Sequence, residues 1–227
     1  MLFVVPTPLG NLEDMTERAL RTLKESKVIF CEDTRRSRNL MSHFGINVPL
    51  ERYDENDPRS VEKIIERVRR GDAVSLVSDG GLPGVSDPGR KAVAAARREN
   101  LPVTALPGSC AVATAVAGSG LPGDSFVFLG FLPRTSSKRR KALEASKLLE
   151  RTIVVYESPF RVLELLDDVI MALGASAQVV AVREISKIHE EYIRGTAQSV
   201  RDALAAKTEI LGEFVIVLHP DPEPSHA

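Results

Sequence analysis

The chain contains no tryptophan, two cysteines and four histidines in 227 residues, and aromatic side chains make up 5% of it. Each scarcity excludes something. Cys31 and Cys110 lie far apart, which excludes a disulfide framework and fits a reducing compartment. His43, His189, His219 and His226 show no metal-ligand spacing with one another or with the cysteines, so no metal site is expected. Charge of one sign is lacking too: 30 Lys and Arg against 31 Asp and Glu leave a net charge of −1. That balance argues against a uniformly basic nucleic-acid binder. No apolar run approaches the ~20 residues of a membrane-spanning helix. Met1 leads directly into LFVV without a basic n-region, so a cytoplasmic protein with no membrane association is expected.

With 43% hydrophobic and 27% charged residues, the composition is that of a globular protein. What stands out is stiff, glycine-bearing turns at the ends of apolar strands. SLVSDGGLPGVSDPG, residues 75 to 89, runs from a strand into a loop with four glycines, two prolines and two aspartates. Glycine lets backbone approach a bound molecule, proline stiffens the loop, and a strand-end aspartate offers charge to a ligand. PTPLGN (Pro6 to Asn11) and LPGSCA (Leu106 to Ala111) are turns of the same kind. Any one of them could serve connection alone; three together point to a small-molecule site.

Up to about Gly118 the pattern alternates strand and helix. LFVV is followed by an amphipathic stretch from Thr16 to Ser26, then KVIFC, then a helix from Arg35 to Phe44. Asp57 and Pro58 predict the start of a helix to Arg70. AVSLV follows, then a helix capped by Asp87 and opened by Pro88, then PVTAL and an alanine-rich helix from Ser109 to Ala117. Apolar strands separated by helices predict a parallel sheet covered on both faces. After GSGLPGDS the pattern changes. FVFLGF, a basic helix, TIVVY, a helix from Phe160 to Leu173, QVVAVRE, EEYIRG, a helix near Ala197 to Ala206 and FVIVLH suggest a mixed sheet with a hairpin. The expected organisation is an α/β domain over 1–118, a second over 124–220, and a disordered tail at 221–227.

Familiar ligand signatures fail on context. Gly118, Gly120 and Gly123 match G-x-G-x-x-G but follow a helix and enclose Pro122. No phosphate-binding G-x-x-x-x-G-K-[ST] is present, and Pro88 occupies the second glycine position that a nucleophile elbow around Ser86 would need. A ligand held by backbone groups and a few carboxylates remains, and S-adenosylmethionine fits that description at the carboxyl ends of strands. Basic residues cluster at Arg35, Arg36 and Arg38, at Arg69 and Arg70, and from Lys138 to Lys141. Each cluster is either a solvated helix face or a phosphate-binding patch.

The segments PTPLGNLEDMTERAL, CEDTRRSRNL, SDGGLPGVSDPG, LPGSCAVATAVAGSGLP, FLGFLPR, YESPFR and VREISKIHEEYIRGT occur in this order from Leu2 to about His219. In them the chain resembles the ribosomal RNA small-subunit methyltransferase I group of the tetrapyrrole methylase superfamily. It departs from the group at Gly80, Leu82, Ser109, Cys110, Phe160 and Asp54. The resemblance implies two α/β domains with a cofactor cleft between them, a homodimer, and S-adenosylmethionine as methyl donor. It implies 2′-O-methylation of a cytidine ribose in the decoding region of small-subunit RNA, met as free rRNA or within the 30S subunit. Carried over, the cofactor contacts would be Leu9 and Gly10, then Asp79, Gly80, Gly81, Leu82, Pro83 and Gly84, then Ser109, Cys110 and Ala111, with Tyr156, Glu157 and Ser158 from the second domain.

A ribose hydroxyl is a weak nucleophile near neutral pH, so a base or orienting group is expected. The candidates are Glu32 and Asp33 at a strand end, and Glu184 and Lys187 in REISK. Helix capping and a surface ion pair are the respective structural alternatives. Lys187 would need a pKa lowered by burial to act as a base. Candidate RNA contacts are Arg35, Arg36, Arg38, Lys138, Arg139 and Arg140, with Phe128, Phe131 and Tyr156 available to stack a base or to pack the core. Two other functions fit the same residues: a small-molecule, tetrapyrrole-type methyltransferase, and a non-catalytic ribosome-assembly protein of the same fold.

Overall fold

The computed structural model describes residues 1–220. The tail expected to be disordered, 221–227, lies outside them. The chain divides into two compact units, Met1–Cys110 and a second that begins at Ala111.

In the first unit β1 (Leu2–Val4), β2 (Val28–Cys31), β3 (Leu50–Arg52), β4 (Val74–Leu76) and β5 (Val103–Ala105) form a wholly parallel sheet in the order β3-β2-β4-β1-β5. Alternation along β2 splits the core between two faces. Val28 and Phe30 pack with Ile64, Ile65 and Ala92 from α3 (Pro58–Arg69) and α4 (Arg90–Arg98). Ile29 and Cys31 pack with Ala19, Leu23 and Met41 from α1 (Glu17–Glu25) and α2 (Thr34–His43). Each such aliphatic or aromatic side chain, taken fully out of water, contributes about 1.5–3 kcal/mol.

Local chemistry sets the helix starts. Thr16 accepts from the Ala19 N–H, and Asp57 accepts from the Arg59 N–H with Pro58 at the first helical position. The expected cap at Asp87 is corrected. Helix α4 starts at Arg90 behind Gly89, whose φ of +145° only glycine adopts without strain. The Gly89 N–H donates to Glu55 Oε2 instead of joining the helix. Strand β3 was not foreseen, because LER at a sheet edge carries no apolar alternation.

The second unit holds α5 (Ala111–Ser119), β6 (Phe126–Phe131), α6 (Ser136–Lys147), β7 (Thr152–Glu157), α7 (Val162–Leu173), β8 (Gln178–Arg183), β9 (Glu191–Thr196), α8 (Ala197–Ala205) and β10 (Phe214–His219). Its sheet runs β6-β7-β10-β8-β9, with β6 parallel to β7 and the other pairs antiparallel; β8 and β9 form the expected hairpin. Helix α5 groups with this unit, although its residues were read with the first half. It has no charged side chain, and Val112, Ala115 and Val116 are buried as it packs against β8 and β10. A helix without a polar face stays where it is covered.

Candidate active site

Three of the glycine-bearing turns leave neighbouring strands at one edge of the first sheet, since β4, β1 and β5 are adjacent. They bind one another through backbone. Thr7 N–H donates to Gly81 O (2.9 Å), Gly81 N–H returns to Thr7 O (2.8 Å), and Thr7 Oγ1 donates to Ser78 O (3.0 Å). Gly108 lies so close to Pro6 that a Cβ there would stand 2.4 Å from the proline ring. Ser109 Oγ donates to Asp14 O at 3.3 Å, tying the third turn to the short helical turn, Leu12–Asp14, that follows the first. Ligands in open parallel sheets sit outside these carboxyl ends.

A hollow of 190 Å³ opens there, lined by Pro8, Leu9, Gly10, Arg36, Ser78 and Asp79 among others. Asp79 anchors its polar wall: Oδ1 accepts from the Asp33 N–H at 3.3 Å, and Oδ2 faces Arg36 Nη1 at 3.4 Å. Leu9, Gly10 and Asp79 thus come together as expected, on an edge that Gly80 to Gly84, Ser109 and Cys110 share. Ala111 opens α5 in the second unit. Asp33 caps α2, accepting from Arg35 N–H (2.8 Å) and Arg36 N–H (3.4 Å). Those backbone hydrogen bonds, the Arg35 one foremost, hold its carboxyl below the usual range. A carboxylate so engaged is a poor base, and Asp33 is reassigned to positioning. Glu32 is exposed beside it. Arg35, Arg36 and Arg38 stand on α2 at this same edge, all exposed.

In the second unit, strand directions bring the ends of β6, β7 and β8 together, so Phe131, Tyr156 to Ser158 and Glu184 share one edge. Tyr156 packs edge-on between Phe128 (4.9 Å) and Phe131 (5.6 Å). Glu157 is buried, 3.2 Å from Arg161 Nη2, and its Oε1 accepts from the Ser158 N–H. Its carboxylate is therefore engaged inside the unit. Lys187 Nζ donates to Glu184 Oε1 (2.8 Å) and Glu213 Oε2 (3.1 Å). Burial works to lower the lysine's pKa, but the two carboxylates outweigh it and the net direction is upward. This corrects its candidacy as a base. Burial likewise pushes the Glu184 carboxyl up, yet the Lys187 and Glu213 hydrogen bonds hold it below its ordinary value.

One expected RNA contact is overturned. Arg139 is 2% exposed and pairs with Asp168 at 2.5 Å. It also donates to the carbonyls of Arg134 and Glu164. An arginine inside α6 and α7 packing cannot reach a phosphate. Arg140 is half-buried and stands 3.7 Å from Asp168, whereas Lys138 is exposed. Sequence reasoning missed Ser78 and Glu55, the residues that brace the long loop; the string of capping residues YDENDP was the available signal for Glu55.

Among the described residues no cluster of three His, Cys, Asp or Glu could hold a metal, and no helix is long and apolar enough to cross a membrane. Burial raises the Cys31 thiol pKa, which disfavours the reactive thiolate.

Residues 1–201 match the tetrapyrrole (corrin/porphyrin) methylases. The chain belongs to that family. Within it, this methylase is 45% identical over 220 residues to the ribosomal RNA small subunit methyltransferase I of Hydrogenobaculum sp., covering 96% of this chain and 94% of that protein. Identity is 43% to the protein of the same name from Halalkalibacterium halodurans, over 98% of this chain and 76% of the relative. It therefore sits in the ribosomal RNA small subunit methyltransferase I group. Solved structures share its fold. Cobalt precorrin-4 methyltransferase superposes with a TM-score of 0.69 at 19% identity, covering 98% of this chain and 96% of that one. Uroporphyrin-III C-methyl transferase from Thermus thermophilus, complexed with S-adenyl homocysteine, gives 0.64 at 18% identity, covering 96% of each.

Proposed function

We propose that this methylase transfers a methyl group from S-adenosylmethionine to the 2′-hydroxyl of a cytidine ribose in the decoding region of small-subunit ribosomal RNA. The observation that carries the reading is identity of 43–45% over 96–98% of the chain to proteins named for small-subunit RNA methylation. The arginines of α2 at the edge bearing the cofactor turns favour an RNA substrate over a tetrapyrrole. The acting form is a homodimer, and it works in the cytoplasm on rRNA or the 30S subunit.

The donor set at the first edge fits the cofactor. A carboxylate at Asp79 suits ribose hydroxyls or an ammonium, and close-packed backbone at Leu9, Gly10 and Gly81 suits groups that bond to main chain. A hollow of 190 Å³ lies below the roughly 300–1,000 Å³ of a complete small-molecule pocket, so this edge holds part of the molecule. Gly80, Leu82, Pro83, Gly84, Ser109 and Cys110 continue the contact, with Ala111, Tyr156 and Ser158 completing it.

S-adenosylmethionine, when bound, supplies a methyl carbon on a sulfonium leaving group. The ribose oxygen forms the new O–C bond as the C–S bond breaks, and the hydroxyl proton goes to a base. Positioning supplies much of the acceleration, up to roughly 7–11 kcal/mol in favourable cases. Glu32 is the base candidate that remains: among the described residues its carboxylate is engaged in neither a cap nor an ion pair.

Calorimetry with S-adenosylmethionine, followed by methyl transfer to 30S subunits, to extracted small-subunit rRNA and to a tetrapyrrole, tests the proposal. Methylation at a cytidine 2′-oxygen leaves an alkali-resistant linkage. Cofactor binding with transfer only to the tetrapyrrole overturns the RNA reading. Absence of cofactor binding indicates an assembly protein.

A further inference from the structure

Helix α4 carries Arg90, Lys91, Arg97 and Arg98 and no acidic residue. Arg90 and Arg98 stand eight residues apart on one face, about 12 Å along the axis. With Lys91 and with Pro58 and Val61 of α3 they line an open cavity of 410 Å³. The neighbouring α3 shows what arginine does here in a structural role. Arg59 pairs with Asp57 (3.1 Å), Arg67 with Glu51 (2.7 Å), Arg69 with Glu62 and Glu99 (both 2.7 Å), and Arg70 with Glu66 (3.7 Å). Among the described residues, none of Arg90, Lys91 and Arg98 has a carboxylate within ion-pair distance. Lys91 Nζ reaches the amide oxygen of Asn56 at 3.4 Å.

The cavity wall includes one carboxylate, Glu55, and its Oε2 is committed to the Gly89 N–H. Three exposed cations therefore outweigh one engaged acid, and the lining of this cavity carries net positive charge although the whole chain is near neutral. Two arginines about 12 Å apart cannot share one phosphate, but they match successive groups along a polyanion. Position adds the last element. Arg90 directly follows the loop from Asp79 to Gly89, so this wall adjoins the loop assigned to the cofactor.

We infer that the Arg90, Lys91 and Arg98 face of α4 binds the phosphodiester backbone of the substrate RNA next to the cofactor loop. This rests on the reading of the protein as an RNA methyltransferase. The three cations bind phosphate without reading bases, so they add affinity and register, and sequence preference comes from elsewhere.

The test is a salt series of binding to a decoding-region RNA oligonucleotide by the full chain, with Arg90, Lys91 and Arg98 all changed to Gln. Neutralising three phosphate contacts on a single strand should make the slope of log affinity against log salt shallower by about 2. Affinity at low salt should fall about tenfold or more, while cofactor affinity, which reports the fold, stays unchanged. Arg59→Gln with Arg70→Gln, at the two ends of α3, serves as control and should leave the slope unaltered. A triple variant with the wild-type slope overturns the inference and leaves the methyltransferase reading standing. An equal loss in the α3 control also overturns it, because the effect would then be net charge. A wild-type protein that binds cofactor but no RNA removes both.

Discussion

The first unit joins five parallel strands by helices, and the turns at its carboxyl edge pair only with one another, through the Thr7–Gly81 bridge; the second threads β10 antiparallel between β7 and β8 and closes with a hairpin. Charge is used differently in each. Arg36 and Asp79 meet at the open edge of the first sheet, with side chains 73% and 27% exposed, and such a pair is available to a ligand. Arg139 and Asp168 are 2% and 8% exposed between α6 and α7. A buried pair holds its own helices together and has nothing to offer outside. Arg36 thus stays open to solvent while Arg139 is spent on packing, and the difference between them is burial.

Substitutions can break this comparison. The largest effect belongs to Asp168→Ala, which strands a buried guanidinium and should destabilise the second unit by about 3–5 kcal/mol in denaturant unfolding. A loss under about 1 kcal/mol would place the pair with ordinary surface ion pairs. Gly108→Ala drives a methyl group into Pro6 and should destabilise the first unit by about 1–3 kcal/mol; an unchanged midpoint would mean the two turns are not rigidly apposed. Asp79→Ala should leave folding intact and weaken S-adenosylmethionine binding roughly tenfold or more, on the scale of a lost charged hydrogen bond. Unaltered calorimetric affinity would remove Asp79 from the site.

The smallest effect concerns pH. Hydrogen bonds from Lys207, and then Arg183, hold the Glu191 carboxyl below its ordinary value. A folded pKa below the unfolded value gives stability that is complete above the unfolded carboxylate range, about 4.3. That stability is lost as pH falls through the folded value. Glu191→Gln should flatten the acid limb of the stability curve in that window, by less than about 1 kcal/mol because the pair is one-third exposed. Superimposable acid limbs would show that the pair adds nothing.

Much of the architecture was legible because periodicity and caps are local. Thr16, Asp57 and Pro58 mark helix starts by their own chemistry, and the short β-branched and aromatic runs VIFC and FVIVLH read as strands covered on both faces. The end of α4 nearest the site was misread at Asp87, since the choice depended on Glu55, distant in sequence, taking the Gly89 N–H. At the candidate site the glycine turns were legible as ligand-approaching backbone, but the burial of Arg139 and Glu157 was not. Both looked like any other charge in a polar string.

The sequence by itself determined the strand and helix alternation, the turns that need glycine, and the family, because these reside in residue type and short-range order. Only the tertiary structure decided which cations face solvent and which are spent inside, whether Lys187 is lowered by burial or raised by carboxylates, and that β4, β1 and β5 lie side by side. Those outcomes depend on the dielectric and the partners around each group, and deciding partners such as Asp168 for Arg139 and Glu213 for Lys187 come from residues tens of positions away.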